Sequence, residues 1–257
     1  MAALAVAIFL ALAMSMAWRL GLAPGKSGRI DAIWAFATGL ACLAAVALGA
    51  ERPARAAIAA AYLAVWSLRL GAYLWRRAEK SDDPRYAEMK ARWGDGAPLR
   101  LFGFLQIQGV ASWPLAISAY VAAASPRPAP DLRDGLALLI FAIALFGEQT
   151  ADRQMAAFKA KPENRGRICE RGLWAWSRHP NYFFEWLGWL GLPVLAVDRD
   201  YLPGGLALLA PAWMYVLLVH VSGVPPLEAA MRRSRGASFE DYSRRVNRFW
   251  PWRPLSR

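Results

Sequence analysis

Gly172-Leu173-Trp174-Ala175-Trp176-Ser177-Arg178-His179-Pro180-Asn181-Tyr182-Phe183-Phe184-Glu185-Trp186 sets four polar residues, Arg178, His179, Asn181 and Glu185, against an apolar run that continues to about residue 197. Ionisable groups at bilayer depth are costly, so a functional site is the first reading of such a stretch. Its apolar continuation is not isolated. Of 257 residues, 57% are hydrophobic and 13 are Trp. Runs of the length needed to cross a bilayer core of about 30 Å recur along the chain. The alternating pattern of a membrane barrel does not occur. The sequence therefore predicts an all-α, polytopic integral membrane protein.

Seven transmembrane helices are expected, near 2–21, 31–50, 56–75, 101–124, 135–157, 180–197 and 201–221. Stop signals separate them at Pro24-Gly25, Glu51-Arg52-Pro53, Pro126 to Pro130 and Pro203-Gly204-Gly205. The first run has no positive leader and no clear cleavage site, and reads as a retained span. No internal repeat is visible. The chain reads as a single domain, 1–257. Its substrate cavity is expected mainly in 1–124 and its cofactor-binding part mainly in 135–257.

Charge predicts the orientation. Alternate connections hold 5 Lys and Arg on one side and 25 on the other, with Arg69 inside a span. The positive-inside rule places the N-terminus outside and the C-terminus in the cytoplasm. The net charge of +12 thus belongs to one face. It suits anionic lipid or a phosphate-bearing ligand. A nucleic-acid partner is not expected, since no recognised binding module occurs. Cys42 and Cys169 lack metal-type spacing and read as free thiols.

Several residues have the right type and spacing for chemistry. Glu148, Asp152 and Lys159 share one face of the fifth span. They read either as ribose or amide partners or as interfacial salt bridges. Arg165 and Arg167 offer forked donors to phosphate. Pro180 suits a first helical turn, and Arg178 adds charge to an N-terminus that favours anions. His179 reads as a helix cap or a ligand contact. Asn181 and Glu185, one turn apart, supply the donors and acceptors a carboxamide needs. Trp66, Arg69 and Tyr73 follow a helical spacing in the third span; Arg69 either snorkels or meets a buried partner. Asp31 opens the second span as an N-cap or as a functional acid. There is no Rossmann or Walker fingerprint, no H-E-x-x-H and no G-x-S-x-G. With His179 and His220 the only histidines, haem and di-iron clusters are not expected.

These residues together resemble the steroid 5-alpha-reductase family (3-oxo-5-alpha-steroid 4-dehydrogenase-like), in its bacterial branch. The resemblance rests on 172–186 with its Arg178-His179-Pro180-Asn181-Tyr182 core. It extends to Asp31-x-x-Trp34, Trp66-x-x-Arg69-Leu70-Gly71 and Asp83-Pro84-Arg85-Tyr86. It ends on Tyr242-x-x-Arg245-Val246 with Phe249-Trp250-Pro251. It implies a seven-helix reductase of a bacterial inner membrane that takes NADPH from the cytoplasm. The reaction implied is reduction of the carbon–carbon double bond of an enone lipid, such as a 3-oxo-delta-4 steroid. It implies Asn181 and Glu185 at the nicotinamide, with Asp152, Lys159 and Arg69 also on the cofactor. Glu148 stands where the family has Asn. Arg165, Arg167, Arg178, His179, Tyr182, Tyr242 and Arg245 complete the expected cofactor set. The family's Gln-Glu pair is missing and its ketone-polarising Tyr falls on Trp66. Either Asp31 or Tyr73 then serves, or the substrate differs. An R-H-P-x-Y core also resembles membrane methyltransferases of the isoprenylcysteine type, whose cosubstrate is S-adenosylmethionine.

Overall fold

Helix formation follows the apolar runs, and prolines cut them. A computed structural model describes residues 1–80 and 82–254. The helices are α1 (Ala2–Leu22), α2 (Ile30–Leu48), α3 (Pro53–Lys80), α4 (Pro84–Trp93), α5 (Ala97–Val110) and α6 (Trp113–Ala123). They continue with α7 (Leu132–Lys159), α8 (Pro180–Trp189), α9 (Gly191–Ala196), α10 (Leu209–Tyr215), α11 (Val224–Arg235) and α12 (Ala237–Arg245). Among the described residues there is no β-strand, only two isolated bridges. Among the described residues, six helical segments are long and apolar enough to cross a membrane: Ala2–Leu22, Ser27–Leu48, Pro53–Glu79, Pro84–Ala123, Leu132–Lys159 and Leu202–Arg235.

The segment missing from the expected seven is 180–197. It is not one helix but two, α8 of 10 residues and α9 of 6. Pro193 explains the break: it has no N–H for the carbonyl of Trp189, four residues earlier, and its ring crowds that carbonyl. The same device divides 101–124. α5 ends at Val110, four residues before Pro114. A third irregularity lies in the last segment, where Val216–Val221 forms a π-helix. Wide turns of this kind recur at functional sites.

The chain divides into two compact units. The first is Met1–Asp134 with Leu195–Leu209; the second is Gly135–Val194 with Ala210–Arg257. The boundary near 134 falls between the 1–124 and 135–257 stretches distinguished in the sequence, and 195–209 joins the first unit.

In the first unit α2 is central, with α1, α3 and α6 packed on it. Its apolar window is 61% buried, against 17% for α1. Close approach needs small residues. At Gly39 on α2, an added Cβ would overlap the Ser67 hydroxyl of α3. Leu10, Met14, Ile30, Ile33, Leu101 and Leu105 form the apolar core there.

Arg55, at the start of α3, is fully buried. Its Nε donates to Asp134 Oδ1 at 2.8 Å, and Nη2 donates to Asp134 Oδ2 at 3.1 Å. The carbonyls of Ser125, Arg127 and Pro128 accept its remaining N–H groups at 3.0, 2.7 and 3.0 Å. A guanidinium has five N–H groups, and each has an acceptor here. The proline-rich stretch 126–130 is therefore a packed knot around one cation.

In the second unit α7 and α8 approach closely. At Gly147 on α7 an added Cβ would overlap the Phe184 ring. Ala151, Cys169 and Trp174 form a small core, and Trp174 Nε1 donates to the Ala151 carbonyl at 2.9 Å. Cys42 and Cys169 are both free and buried, one in each unit.

Candidate functional site

The 172–186 stretch is held by the C-terminal segment. Arg178 lies just before α8. Its backbone N–H donates to the Asn247 carbonyl at 2.8 Å, and its Nη1 donates to the carbonyls of Ser243 and Val246 at 2.8 and 2.9 Å. Ser177 Oγ donates to the Phe249 carbonyl at 2.8 Å. Tyr242 is buried on α12, and its hydroxyl donates to the Trp174 carbonyl at 2.7 Å. Arg245 pairs with Glu170 and Asp241, both at 2.8 Å. Ring contacts extend the clasp. Phe183, Trp186, Tyr215, Phe249 and Trp250 meet edge to face with centroids between 5.1 and 6.4 Å, the favoured aromatic geometry. Two sequence motifs about 60 residues apart thus form one structure.

Glu228, on α11, is the hub of this clasp. It is buried, and its Oε1 accepts from Arg178 Nε at 2.8 Å and from His179 Nε2 at 3.2 Å. Arg248 Nε lies 3.9 Å from Oε2. Sequence reasoning missed this residue. The signal was present: Glu228 is the one acid between Val221 and Arg235.

His179 occupies the N-cap position of α8, but its ring makes no cap bond. The ring stacks on Tyr182 at 5.6 Å. Burial pushes its pKa below the ordinary histidine value, against the pull of Glu228 and with help from Arg178 and Arg248. The ring is therefore neutral near pH 7, and Nε2 carries the proton, since a carboxylate only accepts. A depressed folded pKa adds stability above the unfolded value of about 6.5. That stability is lost as pH falls through the folded value. Thermal unfolding in detergent is expected to show the melting temperature falling between about pH 7 and pH 5, with a shallower fall in His179→Gln. Equal slopes would remove His179 from the account.

The remaining candidates of the second unit sit as follows. Asn181 and Tyr182 are half-buried on the first turn of α8. Glu185 is buried one turn on and accepts from Trp189 Nε1 at 3.1 Å. Glu148 is buried and Asp152 half-buried on α7, and Lys159 is exposed at its end. Arg165 and Arg167 are exposed in the following loop.

In the first unit, Trp66 is buried, Arg69 half-buried and Tyr73 exposed, all on α3. Asp31 is not the N-cap of α2; that position is Arg29. Its carboxylate is held from α4, by the Arg85 guanidinium and by the Tyr86 hydroxyl at 2.7 Å. Asp83 caps α4 by accepting from Arg85 N at 2.9 Å, and it pairs with Arg77 at 3.2 Å. Burial pushes the Asp83 carboxyl up, but the Arg85 guanidinium and N–H hold it below the usual carboxylate range. Asp82 accepts from Ser27 Oγ and Gly28 N at 2.7 and 2.9 Å. The Asp31 and Asp83-Pro84-Arg85-Tyr86 motifs are thus one cluster, which sequence spacing did not reveal.

Neither the curated proteins nor the solved structures offer a match to this chain. A family model described as "Protein of unknown function (DUF1295)" matches residues 17–246, taking in the α2–α4 cluster and all of the clasp up to Val246. The chain belongs to the DUF1295 family.

Proposed function

We propose that this protein is an NADPH-dependent membrane reductase that delivers hydride to the carbon–carbon double bond of an enone lipid, with a 3-oxo-delta-4 steroid as the expected substrate class. The observation that carries the reading is the α8 face. Asn181 and the buried Glu185 lie one turn apart, so an amide and a carboxylate point the same way. That pair suits a carboxamide, which both donates and accepts. The donor set around it also fits a phosphorylated dinucleotide. Arg165 and Arg167 are exposed guanidinium groups suited to phosphate, and Glu148, Asp152 and Lys159 of the same unit suit ribose and phosphate oxygens; Arg69, in the other unit, is a proposed cofactor contact on the family resemblance alone. When bound, the nicotinamide supplies the hydride for the carbon beta to the ketone.

The protein's own part is position and field. Asn181 and Glu185 orient the carboxamide. Arg178, His179, Tyr182, Tyr242 and Arg245 fix the α8 entry through the Glu228 clasp, so most of their bonds are within the chain. Asp31 accepts from two donors on α4; Tyr73 is the proposed donor to the substrate ketone, with Trp66 of the same helix as an apolar wall. A phenol placed there stabilises the charge that develops on the enolate oxygen.

The topology belongs to the same proposal. α8 and α9 together make the seventh, broken crossing; irregular backbone is tolerated at membrane depth where protein buries it, and Trp189 and Leu192 are fully buried. The N-terminus then lies outside and the C-terminus in the cytoplasm of a bacterial inner membrane.

A methyltransferase reading shares the R-H-P-x-Y core, but here Arg178 and His179 of that core are engaged by Glu228. Its distinguishing need is S-adenosylmethionine. Asn181→Ala and Glu185→Gln are expected to weaken NADPH binding by about tenfold or more each, with unchanged melting temperature. Unchanged binding in both, measured by titration in detergent, would sink the α8 assignment.

A further inference from the structure

Between the entry of α8 and the C-terminal segment lies a half-open cavity of about 270 Å³, lined by Arg178, Arg244, Arg245, Arg248, Trp252 and Arg253, among others. All six belong to the second unit, which also holds Asn181, Glu185 and Asp152. Arg178 stands three residues before Asn181, so the cavity borders the proposed nicotinamide face. Its volume falls just under the ~300–1,000 Å³ of a pocket that encloses a whole small molecule. It therefore suits one end of a dinucleotide and not all of it.

Charge narrows which end. Glu228 answers Arg178 and Arg248, and Glu170 and Asp241 answer Arg245. Arg244 and Arg253 are exposed and make no ion pair among the described residues. Five cations against three carboxylates leave two positive charges in excess. A phosphate monoester carries close to two negative charges near neutral pH, and guanidinium forks match its oxygens. Of the phosphates of NADPH, only the one on the adenosine 2′ oxygen is a monoester. The bridging phosphates each carry less charge. Trp252 lines the same cavity and is 72% exposed. A nucleobase stacks on such a ring, and the base beside the 2′-phosphate is adenine. Unpaired cations and an indole in one cavity thus fit the adenosine end, which needs both.

We infer, on the NADPH reading above, that this cavity seats the adenosine 2′-phosphate, with Arg244 and Arg253 as forked donors and Trp252 stacked on the adenine. These three residues, none of them in the set expected from the resemblance, then select NADPH over NADH.

The test titrates the full-length protein in a neutral detergent with NADPH, NADH and adenosine 2′,5′-bisphosphate. The wild type is expected to bind NADPH about tenfold or more tighter than NADH. Arg244→Gln with Arg253→Gln, which breaks no ion pair among the described residues, is expected to remove most of that margin by weakening NADPH and to leave NADH unchanged. Adenosine 2′,5′-bisphosphate, which carries the 2′-phosphate without nicotinamide, should weaken with NADPH. Trp252→Ala is expected to weaken NADPH and NADH by the same factor, since adenine is common to both. A charge-matched pair, Arg92→Gln with Arg100→Gln, exposed in the first unit, should keep the wild-type margin. An unchanged margin in the Arg244 and Arg253 variant would overturn the inference. So would an equal loss of NADPH and NADH there, which assigns the cavity to the shared pyrophosphate. In both cases the wild type still binds NADPH, and the dinucleotide reading stands. A wild type that binds neither nucleotide overturns that reading, and the inference falls with it.

Discussion

Arg55→Met is expected to cost about 3–5 kcal/mol, the usual loss when one partner of a buried ion pair is removed. All five guanidinium donors of Arg55 are engaged and the side chain is fully enclosed. Removing it takes away the bidentate partner of Asp134, which is 1% exposed and keeps only the Asp131 N–H at 2.9 Å and Arg127 at 3.9 Å, and it leaves three carbonyls without their donors. Methionine fills most of the space, so the loss is electrostatic and not a cavity effect. The melting temperature in detergent should fall on the order of 10 °C. The double variant Arg55→Met with Asp134→Leu separates the causes. Removing both charges takes away the carboxylate that lost its bidentate partner, so the double variant should recover part of the loss. A double variant no more stable than the single would mean that the carbonyl knot, and not the charge pair, carries the energy.

Glu228→Gln is the second large effect, and it bears on function. The amide has one acceptor oxygen where the carboxylate had two, and it carries no charge. Arg178 and His179 lose a shared partner, and a hydrogen bond to a charged group is worth about 1.5–3 kcal/mol. The C-terminal segment should then loosen. Limited trypsin digestion is expected to cut at Arg244, Arg245 or Arg248 faster than in the wild type, and NADPH binding is expected to weaken with it. The opposite result is informative. If Arg178 grips the cofactor directly, releasing it from Glu228 would leave NADPH binding equal or tighter. That outcome would return Arg178 to the cofactor and remove the clasp from the mechanism.

Much of the architecture was legible in the sequence because apolar length speaks directly to bilayer thickness. The helical class and most of the long segments follow from that. The breaks at Val110 and Trp189 were not read, although Pro114 and Pro193 predict them. Hydropathy averages over a window and ignores the single missing N–H that ends a helix. The polar site was legible as residue types but not as roles. Arg178, Tyr242 and Arg245 carry the chemistry of phosphate and ribose recognition, and the fold directs their bonds into the chain. Glu228 escaped notice because its partners lie about 50 residues away, beyond any periodicity. The same holds for Asp31, whose partners on α4 are 54 and 55 residues distant.

The central claim is dinucleotide binding, and its most direct test is titration of the purified protein in detergent with NADPH, NADH and S-adenosylmethionine in parallel. The account predicts saturable binding of NADPH, tighter than NADH because of the extra phosphate, and none of S-adenosylmethionine. A screen of 3-oxo-delta-4 steroids for NADPH oxidation would follow. Binding of S-adenosylmethionine with no response to NADPH would contradict the account and assign the Asn181–Glu185 face to methyl transfer.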